Sequence, residues 1–254
     1  MIHLNIVREG QGPLVVLSHA LGCDLHMWDG VAKLLARDFT VLRYDHRNHG
    51  RSDVVAGALT MQTLAQDAAD LIAREAGGAP VHFVGLSMGG MTAQALALSH
   101  PQLLRSVVIA NSASYYPDRA PWQARVETVQ AQGIAAIATG AVARWLTPEF
   151  AATADGAALA RKLHDTLVAT DAQGYIAACQ GVAAIDFRES NKKIGLPTLV
   201  IAGARDEATP PAMSQEMVAA IPGAKLASVE AAHLSAVERP AEFVQVLKDF
   251  FATL

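Results

Sequence analysis

The stretch Val81-His82-Phe83-Val84-Gly85-Leu86-Ser87-Met88-Gly89-Gly90-Met91 runs from apolar residues into Gly-x-Ser-x-Gly and out into small residues at helical spacing. A buried strand, a very tight turn and a helix account for that order of residue types. The serine stands at the apex. Glycine is needed at 85 and 89 because such a turn strains the apical backbone and presses its flanks against neighbouring strands, where side chains would clash. Bare Gly-x-Ser-x-Gly is expected by chance about 0.1 times in a chain of this length. The strand before it and the helix after it give the match its weight.

On either side, strand and helix patterns alternate. Leu14-Val15-Val16-Leu17 is a continuous apolar run, as expected of a strand buried on both faces of a parallel sheet. Residues 2–7 alternate in part and meet Glu9-Gly10-Gln11-Gly12-Pro13, which predicts an edge strand and a turn. A short helix is expected over 28–36 and a strand at Thr40-Val41-Leu42-Arg43-Tyr44. Met61, Leu64, Ala65, Ala68, Leu71 and Ile72 share one helical face, with Gly77-Gly78 as its stop. The helix after Ser87 is small or apolar nearly all round to Leu98, so it belongs in the core. Val107-Val108-Ile109-Ala110 is a further buried strand.

Between 114 and 190 the strand signal disappears. Apolar residues recur at helical spacing in three sets: Ile134, Ile137, Ala141, Val142 and Trp145; Leu159, Leu163 and Leu167; Tyr175, Ile176 and Cys179. A helical insertion of about 75 residues is far longer than an ordinary crossover. The sheet pattern resumes at Pro197-Thr198-Leu199-Val200-Ile201-Ala202-Gly203 and ends with a helix over 212–220, a strand over Lys225–Val229 and a helix over 241–251. The expected fold class is α/β. A mostly parallel, doubly wound sheet is built from residues 1–113 and 191–254, with residues 114–190 inserted as a helical cap.

Composition narrows the partners. With 254 residues, 52% hydrophobic and 17% charged, the chain can bury a large core. A net charge of −4 and no basic run disfavour nucleic acid and anionic membranes. The first residues lack a secretory apolar region and no apolar run is long enough to span a bilayer, so a cytoplasmic location is expected. Cys23 and Cys179 are far apart, which fits reduced thiols rather than a disulfide framework, and no metal-ligand spacing occurs. The expected partner is a small molecule, and oligomeric state stays open.

The strand–turn–helix around Ser87 resembles the nucleophile elbow of α/β-hydrolases. A serine hydroxyl is a weak nucleophile until a base accepts its proton and a third group orients that base. The resemblance implies the chain order serine, acid, histidine. Asp206, in Gly203-Ala204-Arg205-Asp206, follows a late strand, and His233, in Glu230-Ala231-Ala232-His233-Leu234, follows the last one. Some relatives place the acid after the strand preceding the cap. Here that position is Asn111, which cannot be an anionic partner, so Asp206 is favoured. The developing oxyanion needs two backbone donors. The N–H of Met88 begins the elbow helix, where the dipole also helps, and the loop His19-Ala20-Leu21-Gly22 supplies the other, assigned to Leu21. His19 is expected to brace that loop, His49 to belong to a structural turn, and His82 and His100 to be strand and helix-end residues.

Longer matches resemble 3-oxoadipate enol-lactonases. They are Ser18-His19-Ala20-Leu21-Gly22-Cys23-Asp24-Leu25-His26-Met27-Trp28, Leu42-Arg43-Tyr44-Asp45, the elbow itself, Ala110-Asn111-Ser112-Ala113, Pro121-Trp122-Gln123-Ala124-Arg125, Arg144-Trp145-Leu146-Thr147-Pro148, Gly174-Tyr175-Ile176-Ala177-Ala178-Cys179 and Ala231-Ala232-His233-Leu234-Ser235. The resemblance spans nearly the whole chain, and its cap segments are the most specific, since the triad motifs are shared by many α/β-hydrolases. Two motifs depart from the pattern: His19-Ala20 replaces His-Gly, and Arg47-Asn48-His49-Gly50 replaces Arg-Gly-His-Gly. The resemblance implies opening of 3-oxoadipate enol-lactone to 3-oxoadipate in aromatic catabolism, the β-ketoadipate pathway, through an acyl-enzyme and without metal or organic cofactor. The substrate carboxylate then needs a polar partner in an apolar pocket. Arg125 is the first candidate and Arg144 the second, with Trp122 and Trp145 shaping the wall. The same triad also fits a broad carboxylesterase, more distantly a perhydrolase or a carbon–carbon bond hydrolase, and, in another class, a receptor that binds without turnover. Ser87 argues against dehalogenation, which uses an aspartate at the elbow.

Overall fold

The computed structural model describes residues 2–254. Among these, strands β1 (Ile6–Glu9), β2 (Leu14–Ser18), β3 (Thr40–Tyr44), β4 (Val81–Leu86), β5 (Leu104–Ala110), β6 (Thr198–Gly203) and β7 (Lys225–Val229) form one sheet in the order β1-β3-β2-β4-β5-β6-β7. β1 is antiparallel to β3, and every other pairing is parallel. The central strands are buried along their length, which is why they read as unbroken apolar runs, while β7 at the edge is half exposed.

Helices flank the sheet. α1 (Asp29–Leu35) packs with the last helix, α11 (Pro240–Phe251), where Trp28 meets Phe243 at 5.9 Å between ring centroids. α2 (Met61–Glu75) packs with α3 (Met88–Ser99). Thr60 caps α2 by accepting from the Thr63 N–H at 3.1 Å, a contact worth about 1 kcal/mol. α3 is buried on nearly all sides, as its small apolar composition requires. α9 (Pro211–Ala220) lies beside β6 and β7, and the single turn α10 (Ser235–Glu238) follows β7.

Among the described residues, five α-helices lie between β5 and β6: α4 (Ala120–Gln132), α5 (Ala135–Trp145), α6 (Pro148–Ala151), α7 (Ala154–Ala169) and α8 (Ala172–Ala183). Tyr115 and Asp186 pair as an isolated antiparallel bridge at the two ends of this segment. No helix among the described residues is long and apolar enough to cross a membrane.

Two boundaries and one helix differ from expectation. The first strand begins at Ile6, not at residue 2. Residues 3–5 instead run along the loop after β3, where the His3 N–H donates to Asp53 at 2.8 Å and the Asn5 carbonyl accepts from the Asp45 N–H at 3.0 Å. β5 starts at Leu104, ahead of the apolar run at 107, because Arg105 points outward and hides the pattern. α4 gave no periodic signal because only Val126 and Val129 of its residues are buried.

Candidate active site

Because the strands from β2 onward run parallel, their carboxyl ends share one rim, and the loops after β2, β4, β5, β6 and β7 meet there. Ser87 follows β4 with φ 58° and ψ −116°, a strained conformation for a residue with a side chain. Its backbone is fixed from both sides. The N–H donates to the Ala110 carbonyl at 2.9 Å, and the carbonyl accepts from Met91 N–H at 3.0 Å and from Ser112 Oγ at 2.8 Å. A Cβ at Gly85 would lie 2.0 Å from the Gly89 carbonyl oxygen, and one at Gly89 would lie 2.1 Å from the Ser18 carbonyl oxygen. The two glycines are thus required by close approach of backbone to backbone.

Asp206 and His233 meet Ser87 from the next loops. Ser87 Oγ stands 3.0 Å from His233 Nε2, and His233 Nδ1 stands 2.9 Å from Asp206 Oδ2. All three side chains are buried. Asp206 accepts further bonds at Oδ1 from the N–H groups of Ala208 (2.8 Å) and Thr209 (3.0 Å), and at Oδ2 from Thr209 Oγ1 (2.8 Å) and Asn111 Nδ2 (3.0 Å). Burial alone would raise its pKa. The charge of His233 and the donated hydrogen bonds outweigh that and lower it to about 2. An ionised Asp206 accepts the hydrogen on His233 Nδ1 and so turns Nε2 toward Ser87.

Asn111, set aside as an acid, has a place in this network. Its φ is 45°, a conformation asparagine tolerates better than most residues. Its Nδ2 reaches Asp206 and the Ala232 carbonyl (3.3 Å), and its Oδ1 accepts from Ser235 Oγ at 2.5 Å. The positive φ is invisible in a single sequence. Thr209 was also missed, although a threonine three residues after an aspartate is a signal for a side chain that caps the turn.

The N–H groups of Leu21 and Met88 donate no hydrogen bond to any described residue, although those of Ala20, Gly22 and Ser87 do. Three histidines hold the Leu21 loop. His19 Nδ1 donates to the Ala20 carbonyl at 2.8 Å, and its Nε2 accepts from the His46 N–H at 2.9 Å. His49 Nε2 accepts from the Gly22 N–H at 3.1 Å, so it braces this loop as well as its own turn. His46 Nε2 meets Ser18 Oγ at 2.9 Å. Burial lowers the pKa of all three, with that of His49 falling to about 3, so they are neutral. His82 lies away from this rim, on Ser106 Oγ at 2.7 Å, and His100 ends α3.

The cap candidates separate into two groups. The Arg125 guanidinium lies 4.9 Å from the Trp122 ring centroid, and its Nη1 donates to Tyr175 Oη at 3.5 Å. The Tyr175 ring borders the Leu21 loop, since a Cβ at Gly22 would come 3.2 Å from it. Tyr116 packs against Trp122 at 5.4 Å and feels the charges of both Asp206 and Arg125. Arg144 is exposed in a separate cavity of about 370 Å³ that it shares with Arg205, Asp206 and Ala232. Trp145 is buried, and its carbonyl accepts from the Leu234 N–H at 2.9 Å. Cys23 and Cys179 are buried and unpaired, and burial raises the thiol pKa of both. Among the described residues no three His, Cys, Asp or Glu side chains converge to hold a metal ion.

The family profile described as alpha/beta hydrolase fold matches residues 13–240. The chain is 35% identical to 3-oxoadipate enol-lactonase 1 of Acinetobacter baylyi over 100% of its own length and 94% of that protein. It is also 35% identical to 3-oxoadipate enol-lactonase 2 of the same organism, over 95% of its own length and 90% of the other. The crystal structure of the enol-lactonase from Burkholderia xenovorans LB400 superposes with a TM-score of 0.93 at 33% identity, covering 99% of this chain and 97% of that one.

Proposed function

This chain belongs to the α/β-hydrolase family and is an ester-hydrolysing enzyme of 3-oxoadipate enol-lactonase kinship, and from that premise we propose that it opens 3-oxoadipate enol-lactone to 3-oxoadipate through an acyl-enzyme on Ser87. The observation that carries the mechanism is the relay from Asp206 through His233 to Ser87, at 2.9 and 3.0 Å, beside two backbone N–H groups with no partner among the described residues.

Ser87 Oγ attacks the lactone carbonyl carbon while His233 Nε2 takes its proton. The carbonyl oxygen becomes an oxyanion that the N–H groups of Leu21 and Met88 stabilise, each worth about 3–4 kcal/mol in the transition state. The intermediate collapses by breaking the bond to the enol oxygen, which takes the proton from His233. The freed enol stays tethered through the acyl chain, and its tautomerisation to the ketone opposes reclosure. Water then attacks the acyl-enzyme, gives a proton to His233, and the carboxylate leaves as Ser87 recovers its hydrogen. Asp206 stays ionised throughout and stabilises the imidazolium.

Residues 114–190 act as the cap that selects the substrate. Arg125 is the preferred partner for the substrate carboxylate, because its neighbours Tyr175 and Trp122 connect it to the Leu21 loop and to Tyr116. Arg144 is a weaker candidate, because it is exposed whereas Arg125 is half-buried. The buried, unpaired thiols favour a cytoplasmic setting.

The deciding experiment compares kcat/KM for the enol-lactone with that for aryl acetates on wild type and Ser87→Ala. A lactone preference of several orders of magnitude, abolished in the variant, is expected. Equal efficiency on both substrates would make the protein a broad carboxylesterase, and turnover that survives in Ser87→Ala would rule out the serine mechanism.

A further inference from the structure

Glu238 ends α10, five residues after His233, and the chemistry above makes no use of it. It is nonetheless buried, at 4% exposure. Its carboxylate accepts from the N–H of Thr147 at 3.0 Å, from the Thr147 hydroxyl in a short hydrogen bond, and from the N–H of Ala232 at 3.2 Å. Thr147 belongs to the segment between α5 and α6, which is extended at Leu146 (φ −125°, ψ 148°) and at Thr147 (φ −65°, ψ 146°). This segment and the helix ends beside it are tied to the sheet domain. The Trp145 carbonyl, at the end of α5, accepts from the Leu234 N–H at 2.9 Å, Thr147 binds Glu238, and Glu149, in α6, accepts from Arg205 Nη1 at 2.8 Å in an exposed ion pair. Ala232 and Leu234 flank the base, and Arg205 precedes the acid. One short strap therefore grips the His233 loop on both sides and the Asp206 loop once.

A carboxylate suits this joint. Its two oxygens accept from three convergent donors, whereas an amide offers a single acceptor oxygen and would turn an NH₂ toward a donor. Burying a charge is costly and adds little to stability compared with an apolar side chain of the same shape. We propose that Glu238 is a positioning residue: it registers the cap strap against Ala232 and so sets the height of His233 Nε2 over Ser87. The proposal rests on the serine-hydrolase reading above. It also means that triad geometry depends on the cap being seated.

The test compares wild type, Glu238→Gln and Thr147→Val for thermal unfolding, for kcat and KM on whichever ester or lactone wild type turns over, and for the rate of Ser87 labelling by a fluorophosphonate. Misplacing a catalytic group by about 1 Å costs up to about a hundredfold in rate. Folded Glu238→Gln is therefore expected to label and turn over about ten- to a hundredfold more slowly, with KM changed by less than about twofold. Thr147→Val, which removes one of the three donors, should fall between it and wild type. A folded Glu238→Gln with wild-type labelling and kcat overturns the proposal, even if it unfolds at a lower temperature. If Glu238→Gln does not fold, wild-type labelling of Thr147→Val overturns it. A wild type that does not label overturns the serine mechanism, and this proposal with it.

Discussion

At the scale of single residues, the site depends on an acid kept ionised by what surrounds it. Asp206→Asn keeps the shape but presents a neutral amide to His233 and favours the wrong tautomer, so kcat should fall by about 10⁴ while KM changes little. Steady-state kinetics on the folded variant checks this, and a loss below tenfold would remove Asp206 from the proposed triad. Asn111 acts one contact further out. Asn111→Ala strips a donor from Asp206 and leaves the Ala232 carbonyl and the Ser235 hydroxyl without their partner. Buried groups left unpaired cost about 1–3 kcal/mol each, so urea unfolding should detect a loss of that order together with a lower kcat. That Ser87, Asp206 and His233 meet was legible in the sequence because each follows a strand, in the chain order that the resemblance to α/β-hydrolases implies. Asn111 and Glu238 were not, since their partners lie 95 and 91 residues away and nothing local marks either as buried.

Among the elements, the loop from His19 to Gly22 depends most on its surroundings. Gly22 has φ 74°, and a Cβ there would meet Leu167 Cδ1 at 2.6 Å. Gly22→Ala should therefore lower both stability and kcat, by displacing α7 and α8 from the loop that carries the Leu21 N–H; unaltered kcat would argue against a role for this loop in the oxyanion site. The histidines beneath it make a pH prediction. Buried neutral histidines with lowered pKa bind fewer protons than the unfolded chain once pH drops below about 6.5. Stability must then fall with falling pH, by about 1.4 kcal/mol per pH unit for each fully neutral histidine, until the folded-state values are reached, for His49 at about 3. Denaturation at pH 7, 6 and 5 measures the slope, and a flat profile would contradict the neutral cluster. The parallel strands and α2 were readable because each buries a continuous run or a clean face. The first strand was misplaced because residues 3–5 satisfy their backbone on a loop, and α4 was missed because a mostly exposed helix has no apolar stripe to show.

For the whole molecule, the proposed function divides the work, with the chemistry on the sheet and the choice of substrate in the inserted helices. Arg125→Ala should raise KM for the anionic lactone at least about tenfold, the cost of an interaction with a charged group, and leave a neutral ester unaffected. Equal effects on both substrates would assign Arg125 to cap packing with Trp122 and Tyr175. The insertion was legible as helical, but which of its arginines faces the site was not, because that depends on how five helices fold over the rim. The span of the relay has a further consequence. The hydrogen bond from Ser87 to His233 joins residues 146 positions apart, and β6 and β7 complete the sheet only after the inserted helices have been made. A ribosome extends the chain at about 5–20 residues per second, so the nucleophile emerges many seconds ahead of its base. Through that interval the nascent chain holds a serine with nothing to activate it, and polypeptides released early from the ribosome would be inert toward esters in the cell.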